Sequence, residues 1–107
     1  MLQHPSIQSA LSHETSKRGL IILILGKENL KSNPVYISKL TKLFNASIES
    51  DKEKLTNSSI RRNIKALRKN NIIQAINEGG RPEYLELTEL GKQVFDSILL
   101  EGIEGQI

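Results

Sequence analysis

The chain has 107 residues, no cysteine, a formal net charge of +3 and only 4% aromatic residues. Its length suits one compact domain, and the lack of cysteine excludes a disulfide scaffold, a thiol nucleophile and thiolate metal sites. The longest apolar run, Leu20–Leu25, is far shorter than the roughly 20 residues that a transmembrane helix needs. Because the start of the chain also lacks a signal-peptide pattern, we expect a soluble protein of the cytoplasm.

The charge is distributed unevenly along the chain. Residues 52–82 carry eight Lys or Arg against two Asp or Glu, whereas residues 83–107 carry one against six. A basic centre attracts polyanions, of which phosphate backbones are the commonest. A solvated charged face would have the same composition, so charge alone leaves both interpretations open. The acids after residue 82 are interpreted as a solvated face that would repel nucleic acid and so help to orient the domain.

The sequence of the first third of the chain predicts a flexible arm followed by one helix. Residues 1–12 show no periodicity, and a helix is expected from about Glu14 to Leu25, capped by Ser12 or Thr15 and ended by Gly26. The run LIILIL within it is also compatible with a buried strand. Because it is apolar on all sides, part of it is expected to pack against a second copy of the protein.

Two more helices are predicted in the middle of the chain. Asn33 before Pro34 is typical of an N-cap followed by proline at the first helical position, so a second helix is expected over residues 34–45. Residues 46–55 are polar and too irregular to assign. Thr56 is expected to cap a third helix over residues 57–70.

The last third predicts a hairpin and a final helix. Strands are expected at residues 72–77 and 83–87, joined by a turn at 78–82, because apolar residues alternate in EYLEL and glycines mark the turn. Thr88 is expected to cap the last helix, which ends near Leu100, and residues 101–107 form a frayed tail. This order predicts an α+β, mostly α, winged helix-turn-helix over residues 13–100: a three-helix core, a two-stranded β-hairpin wing and a C-terminal helix.

The third helix separates apolar from basic residues. At about 100° per residue, Ile60, Ile64 and Leu67 form one narrow stripe. The basic and hydroxyl side chains lie on the opposite face, and no acid occurs from Lys54 to Asn77. Like charges at helical spacing destabilise an isolated helix, and a polyanion would relieve this cost. Arg, Asn and Ser in the first half of the helix also suit the reading of base edges in a major groove.

The second half of the chain resembles winged helix-turn-helix transcriptional regulators of bacteria and archaea. The motifs that carry the resemblance are Leu67, Asn71-Ile72-Ile73, Gly79-Gly80-Arg81-Pro82 and the run YLELTELG at 84–91. The G-R-P-x-Y-x-L-T portion is most similar to PadR-type and related MarR-like small repressors. The resemblance covers about residues 15–100 and implies homodimers on palindromic operators, with the apolar first and last helices at the dimer interface.

The sequence departs from the pattern of these regulators at two places. The link at residues 46–55 is longer than usual, so the start or the angle of the recognition helix is expected to differ. Asn71 stands where glycine is common, and Asn tolerates the left-handed conformation that the turn requires.

The expected partner is double-stranded DNA. The recognition helix 57–70 would enter the major groove, the wing at 78–82 would contact the flanking backbone or minor groove, and the second helix would rest on the backbone. The expected contact residues are Asn57, Ser58, Ser59, Arg61, Arg62, Lys65, Lys69, Arg81, Lys39 and Lys42.

Other functions are less favoured by the sequence. A winged-helix module that docks its basic helix on an acidic protein is the main alternative, and RNA binding is weaker because stacking aromatics are scarce. His4 and His13 lack metal-ligand partners at suitable spacing, and no catalytic constellation emerges. We therefore expect no enzyme, no metal, no cofactor and no small-molecule ligand.

Overall fold

The computed structural model describes residues 16–104. The expected arm at 1–12, the proposed caps Ser12 and Thr15, both histidines and residues 105–107 lie outside the described residues. The elements in chain order are α1 (Ser16–Leu30), α2 (Ile37–Ala46), a single 3₁₀ turn (Asp51–Glu53), α3 (Asn57–Lys69), β1 (Ile73–Ala75), β2 (Leu85–Leu87) and α4 (Glu89–Glu104). This order confirms the predicted winged helix-turn-helix arrangement.

Helix α1 lies at the centre of the fold and contacts α2, α4 and β2. Of the apolar run that it contains, Ile21, Ile22 and Leu25 are fully buried within the chain, so the domain itself covers most of this helix. The remaining core comes from one apolar side of each other element. Its members include Leu40, Phe44, Ile60, Ile64, Leu67, Ile73, Leu85, Leu87, Val94 and Phe95.

The hairpin has the predicted antiparallel pairing. Ile73 lies opposite Leu87 and Ala75 lies opposite Leu85. Leu85 and Leu87 are buried while Glu86 between them is half-buried, which confirms the period of two. Both strands are shorter than predicted, although the amide of Ile76 still donates to the carbonyl of Tyr84 at 2.8 Å.

The predicted end of the first helix at Gly26 is wrong. Helix α1 continues to Leu30, and Gly26 lies in its interior against the ring of Phe95. A Cβ atom at this position would overlap the ring carbons, so glycine is needed for close helix packing rather than for termination. The chain leaves the helix after Leu30 through Ser32, whose φ of 60° is left-handed. The amides of Ser32 and Asn33 donate to Asn29 and Glu28 at 3.0 Å, as in a Schellman motif.

The predicted start of the second helix is also wrong. Helix α2 begins at Ile37, and Tyr36 occupies the N-cap position with an extended backbone and no capping side chain. Pro34 and Val35 lie outside the helix, and the carbonyl of Val35 accepts a hydrogen bond from the amide of Leu85 at 2.8 Å. The segment is therefore attached to the start of β2 by this hydrogen bond before the chain enters the helix.

The third helix begins at the predicted Asn57 and ends at Lys69, one residue before the predicted end. Thr56 caps it, since its hydroxyl accepts a hydrogen bond from the amide of Ser59 at 3.1 Å. At the other end Asn71 adopts a φ of 63°, and the amide of Ile72 donates to the carbonyl of Leu67 at 2.9 Å. This is the left-handed asparagine that the sequence predicts.

The long link before α3 is held by one side chain. The amide group of Asn45 donates to the carbonyl of Leu55 and accepts from its amide, both at 2.8 Å. The end of α2 is therefore fixed directly to the residue before the Thr56 cap. The extra length of residues 46–55 is absorbed around the 3₁₀ turn, and α3 starts at the predicted Asn57.

Thr88 joins the hairpin to the last helix. Its hydroxyl caps α4 by accepting from the amide of Gly91 at 3.0 Å, as predicted, and it also donates to the carbonyl of Asn71. A side chain at Gly91 would meet the carbonyl of Ile72. Helix α4 continues to Glu104, so residues 101–104, which the sequence assigned to a frayed tail, are helical. Within residues 16–104 no helix has the length and apolar character needed to cross a bilayer.

Candidate nucleic-acid interface

Helix α3 presents a polar and basic face to solvent. Its apolar stripe of Ile60, Ile64 and Leu67 is at most 4% exposed and faces the helix α2 and strand β1 with which α3 packs. Most of the predicted contact residues of this helix are exposed, whereas Ser59 is half-buried and donates its amide to the Thr56 cap. The exposed residues are Asn57, Ser58, Arg61, Arg62, Lys65 and Lys69.

The basic residues on this face are not neutralised within the protein. Among residues 16–104, the ion pairs involve the cations Lys31, Lys39, Lys54 and Arg68. Arg61, Arg62, Lys65 and Lys69 form no ion pair with any described residue. Their charges are therefore free to attract a polyanion, which is the property that the sequence predicted for this face.

Arg68 belongs to α3 but points towards the wing. Its Nη1 donates to Oε1 of Glu83 at 2.9 Å, and both side chains are about one-third exposed. Arg68 is therefore a structural cation and differs from its exposed neighbours. The interpretation of the acids after residue 82 as a solvated face is wrong for Glu83, which pairs with Arg68.

The loop between the strands is closed by hydrogen bonds from its own residues. Gly79 has a φ of +81°, a conformation that glycine adopts without steric cost. The side chain of Asn77 accepts from the amide of Tyr84 at 2.6 Å and donates to the carbonyl of Pro82 at 3.0 Å. Arg81 is left exposed at the tip.

Glu83 closes the same loop from its other side. Its Oε2 accepts from the amide of Gly79 at 2.8 Å. This backbone hydrogen bond, followed by the attraction of Arg68, lowers the pKa of Glu83 below its ordinary value despite partial desolvation. Neither Asn77 nor Glu83 is among the residues that the sequence predicts for this site. The available signal was their position at the two edges of a glycine turn, where Asn commonly bonds to nearby backbone.

The wing, α2 and α3 line one open groove of about 450 Å³. Arg61 from α3 and Arg81 from the wing tip both line it, so the fold brings together cations that are distant in the sequence. Ser38 from the first turn of α2 and Asn57 from the first turn of α3 lie on the same groove. A second depression, bounded by α3 and β2, adjoins Arg61, Lys65 and Arg68.

The two lysines predicted on α2 have different surroundings. Lys42 is exposed. Lys39 is half-buried, and its Nζ donates to the carbonyl of Pro34 at 2.7 Å and lies 3.5 Å from Oε1 of Glu28. The structure therefore uses Lys39 to hold the start of α2 against the end of α1.

The chemistry of this face is that of hydrogen-bond donors. Guanidinium, ammonium, hydroxyl and carboxamide groups predominate, which are the groups that bind phosphates and base edges. Within the described part of the chain, no group of three or more His, Asp or Glu residues lies close enough to hold a metal ion.

Searches of the sequence find no matching family model and no matching curated protein. Solved structures do match the fold. The adhesin competence repressor AdcR of Streptococcus pyogenes has a TM-score of 0.63 at 18% identity over 94% of this chain and 64% of the AdcR chain. A possible HxlR family transcriptional factor of Thermoplasma volcanium has a TM-score of 0.63 at 23% identity over 99% of this chain and 87% of its own.

A third match is a protein solved with nucleic acid. FabT of Streptococcus pneumoniae, in complex with DNA, has a TM-score of 0.57 at 17% identity over 94% of this chain and 69% of its own. The present chain spans less than two-thirds of the AdcR chain. Proteins named MarR are also among the matching structures, with TM-scores of 0.59 and 0.57. The chain therefore has the winged helix-turn-helix fold of MarR-type and HxlR-type transcriptional regulators.

Proposed function

We propose that the protein is a cytoplasmic transcriptional regulator that binds double-stranded DNA in a sequence-specific manner. The observation that carries this proposal is the exposed face of α3, on which four cations form no ion pair with a described residue. A helix whose exposed side is entirely basic or polar loses stability through like-charge repulsion, and a phosphate backbone would offset that loss.

The first turns of α3 would carry the sequence recognition. Asn57, Ser58, Arg61 and Arg62 are all exposed there, and the N-terminal half of a recognition helix is the part that reaches base edges. Arg is suited to guanine and Asn to adenine. Lys65 and Lys69 lie further along the same face and would contact phosphates.

The wing would contact DNA beside the recognition helix. Arg81 is exposed at its tip and lines the same groove as Arg61. A single arginine on a narrow turn suits entry into a minor groove or a contact with the flanking backbone. Lys42 and Ser38 on the exposed side of α2 would contact the DNA backbone. Lys39 would instead hold the start of α2 in place through its contact with Glu28.

We further propose that the protein acts as a homodimer through α1 and α4. These helices pack together and carry apolar side chains that the chain covers only in part. They are Leu20, Leu23, Ile24, Ile98 and Leu99, and Leu100 is 57% exposed. A dimer with two-fold symmetry would read two half-sites of a palindrome.

A titration with random duplex DNA at two salt concentrations tests the proposal. Nucleic-acid binding through several phosphate contacts predicts that log K falls steeply and linearly with log of the salt concentration. Absence of binding at low salt would contradict the proposal and would favour a module that docks on an acidic protein. The same titration of the Arg61→Ala variant shows whether the exposed face of α3 accounts for the salt dependence of binding.

A further inference from the structure

We propose that Glu83, with Arg68 as its partner, is a positioning residue that fixes the wing relative to α3 and thereby sets sequence specificity. This inference rests on the proposed function, because specificity has a meaning only if the protein binds DNA. It concerns two residues whose side chains were not expected to contact nucleic acid.

The Glu83 carboxylate uses both of its oxygens. Oε1 accepts from Nη1 of Arg68 at 2.9 Å, and Oε2 accepts from the backbone amide of Gly79 at 2.8 Å. Arg68 belongs to α3 and Gly79 belongs to the wing loop, so one carboxylate bridges the two elements. Hydrogen bonds to a charged group are stronger than neutral ones and hold their partners in a narrow geometry.

The bridge is the hydrogen-bonded link between the loop and the recognition helix. The other hydrogen bonds of residues 77–83 in the described structure join the loop to itself or to the adjacent Tyr84. The loop is thus closed internally by Asn77 and oriented towards α3 by Glu83. Beside the loop, Tyr84 also packs edge-on against Tyr36, with ring centroids 6.0 Å apart.

The position of Glu83 is otherwise unfavourable for a protein that binds a polyanion. Its carboxylate lies in the groove that Arg61 and Arg81 also line, with Arg68 and Lys65 on the adjoining surface. A negative charge at this place weakens the attraction for phosphate. Its presence is explained if the geometry that it maintains is worth more to specific binding than the charge costs.

Charge and geometry make opposite predictions for the loss of this carboxylate. If only charge matters, the Glu83→Ala variant gains one unit of positive charge and binds every duplex more tightly. If the bridge positions Arg81 relative to Arg61, the same variant binds its specific sequence less tightly, while binding to random DNA is unchanged or tighter. The ratio of specific to random affinity therefore separates the two effects.

The test measures Kd for a selected duplex and for a random duplex at one salt concentration. We expect Glu83→Ala to reduce the specific-to-random ratio by roughly three- to tenfold, the range for a partly exposed, charge-assisted bond. Glu86→Ala is the matched control, because it removes the same charge from β2, where the carboxylate accepts from Gln74 of β1 at 2.7 Å. An Arg68→Ala/Glu83→Ala double variant should reduce the specific-to-random ratio no further than either single variant does.

A second measurement does not depend on DNA. The amide proton of Gly79 should be shifted downfield and protected from exchange in the parent, and both effects should be lost in Glu83→Ala but kept in Glu86→Ala. Suppose that the parent binds its selected duplex specifically, but that Glu83→Ala and Glu86→Ala have the same ratio of specific to random affinity. This result would contradict the role of Glu83 and leave the proposed function standing. A parent that binds no duplex would contradict the proposed function, and the role in specificity with it.

Discussion

Arg61 in the first half of α3 and Arg81 at the wing tip line the same groove, although the rest of α3 and strand β1 separate them in the sequence. Both are exposed. The fold achieves this by turning the chain back at Asn71 and fixing the returning strand through Thr88 and Leu85. The predictions below follow from this arrangement and from the contacts that maintain it.

Two substitutions on α3 should affect DNA binding differently. We expect Arg61→Ala to weaken binding of a specific duplex by about 1–3 kcal/mol and to relax selectivity at one base position. Lys69→Ala should instead weaken binding evenly across sequences and make the salt slope shallower by about one. Lys92→Ala removes an exposed charge from α4 and serves as the control in competition binding assays. Equal effects of Arg61→Ala on specific and random duplexes would contradict a base-reading role.

Closing the space beside Gly26 should destabilise the domain. A Cβ atom in Gly26→Ala would overlap the ring of Phe95, which is buried between α1 and α4. Overpacking of this kind costs about 1–3 kcal/mol in the free energy of unfolding, which urea denaturation measures. The Gly26→Ala/Phe95→Leu double variant should be less destabilised than the sum of its single variants. Strict additivity would show that the ring is not the obstacle.

The buried hydroxyl of Thr88 should contribute strongly to stability. It bonds to the carbonyl of Asn71 and to the amide of Gly91, so Thr88→Val would leave a donor and an acceptor unpaired. We expect a loss of about 1–3 kcal/mol in thermal or urea unfolding. Thr88→Ser keeps the hydroxyl and should retain most of the stability. If valine were tolerated as well as serine, the hydroxyl network would not matter.

The Glu83 bridge should make the domain sensitive to acid. Its pKa is lowered below 4.5 in the folded protein by the Gly79 amide and by Arg68, with Arg61 and Lys65 nearby. Because the folded value lies below the unfolded value, the stabilisation is present above pH 4.5 and is lost as pH falls through the folded pKa. The difference in unfolding free energy between the parent and Glu83→Gln should therefore shrink below pH 4.5. A difference that did not change with pH would show that ionisation of Glu83 is unimportant.

Local signals in the sequence were sufficient for the elements that depend on neighbouring residues. The caps at Thr56 and Thr88 and the left-handed Asn71 each require only a few adjacent positions, and all three are present as predicted. The two faces of α3 were predictable for the same reason, since the helical period alone separates Ile60 and Ile64 from the cations.

Contacts between distant residues account for the errors. Glycine commonly marks the end of a helix, but the role of Gly26 depends on its contact with Phe95 of α4. The start of α2 depends on the pairing of Val35 with Leu85, which no local pattern reveals. The hydrogen bond between Arg68 and Glu83 was not predictable for the same reason, because these residues become neighbours only when the hairpin folds back.

The most direct test of the proposed function is the affinity of the Arg61→Ala/Arg62→Ala variant for a duplex selected from a random pool by the parent. At moderate salt, we predict that this variant binds at least about tenfold more weakly than the parent, with unchanged thermal stability because both side chains are exposed. Binding of the selected duplex by this variant as tightly as by the parent would contradict the assignment of α3 as the recognition helix.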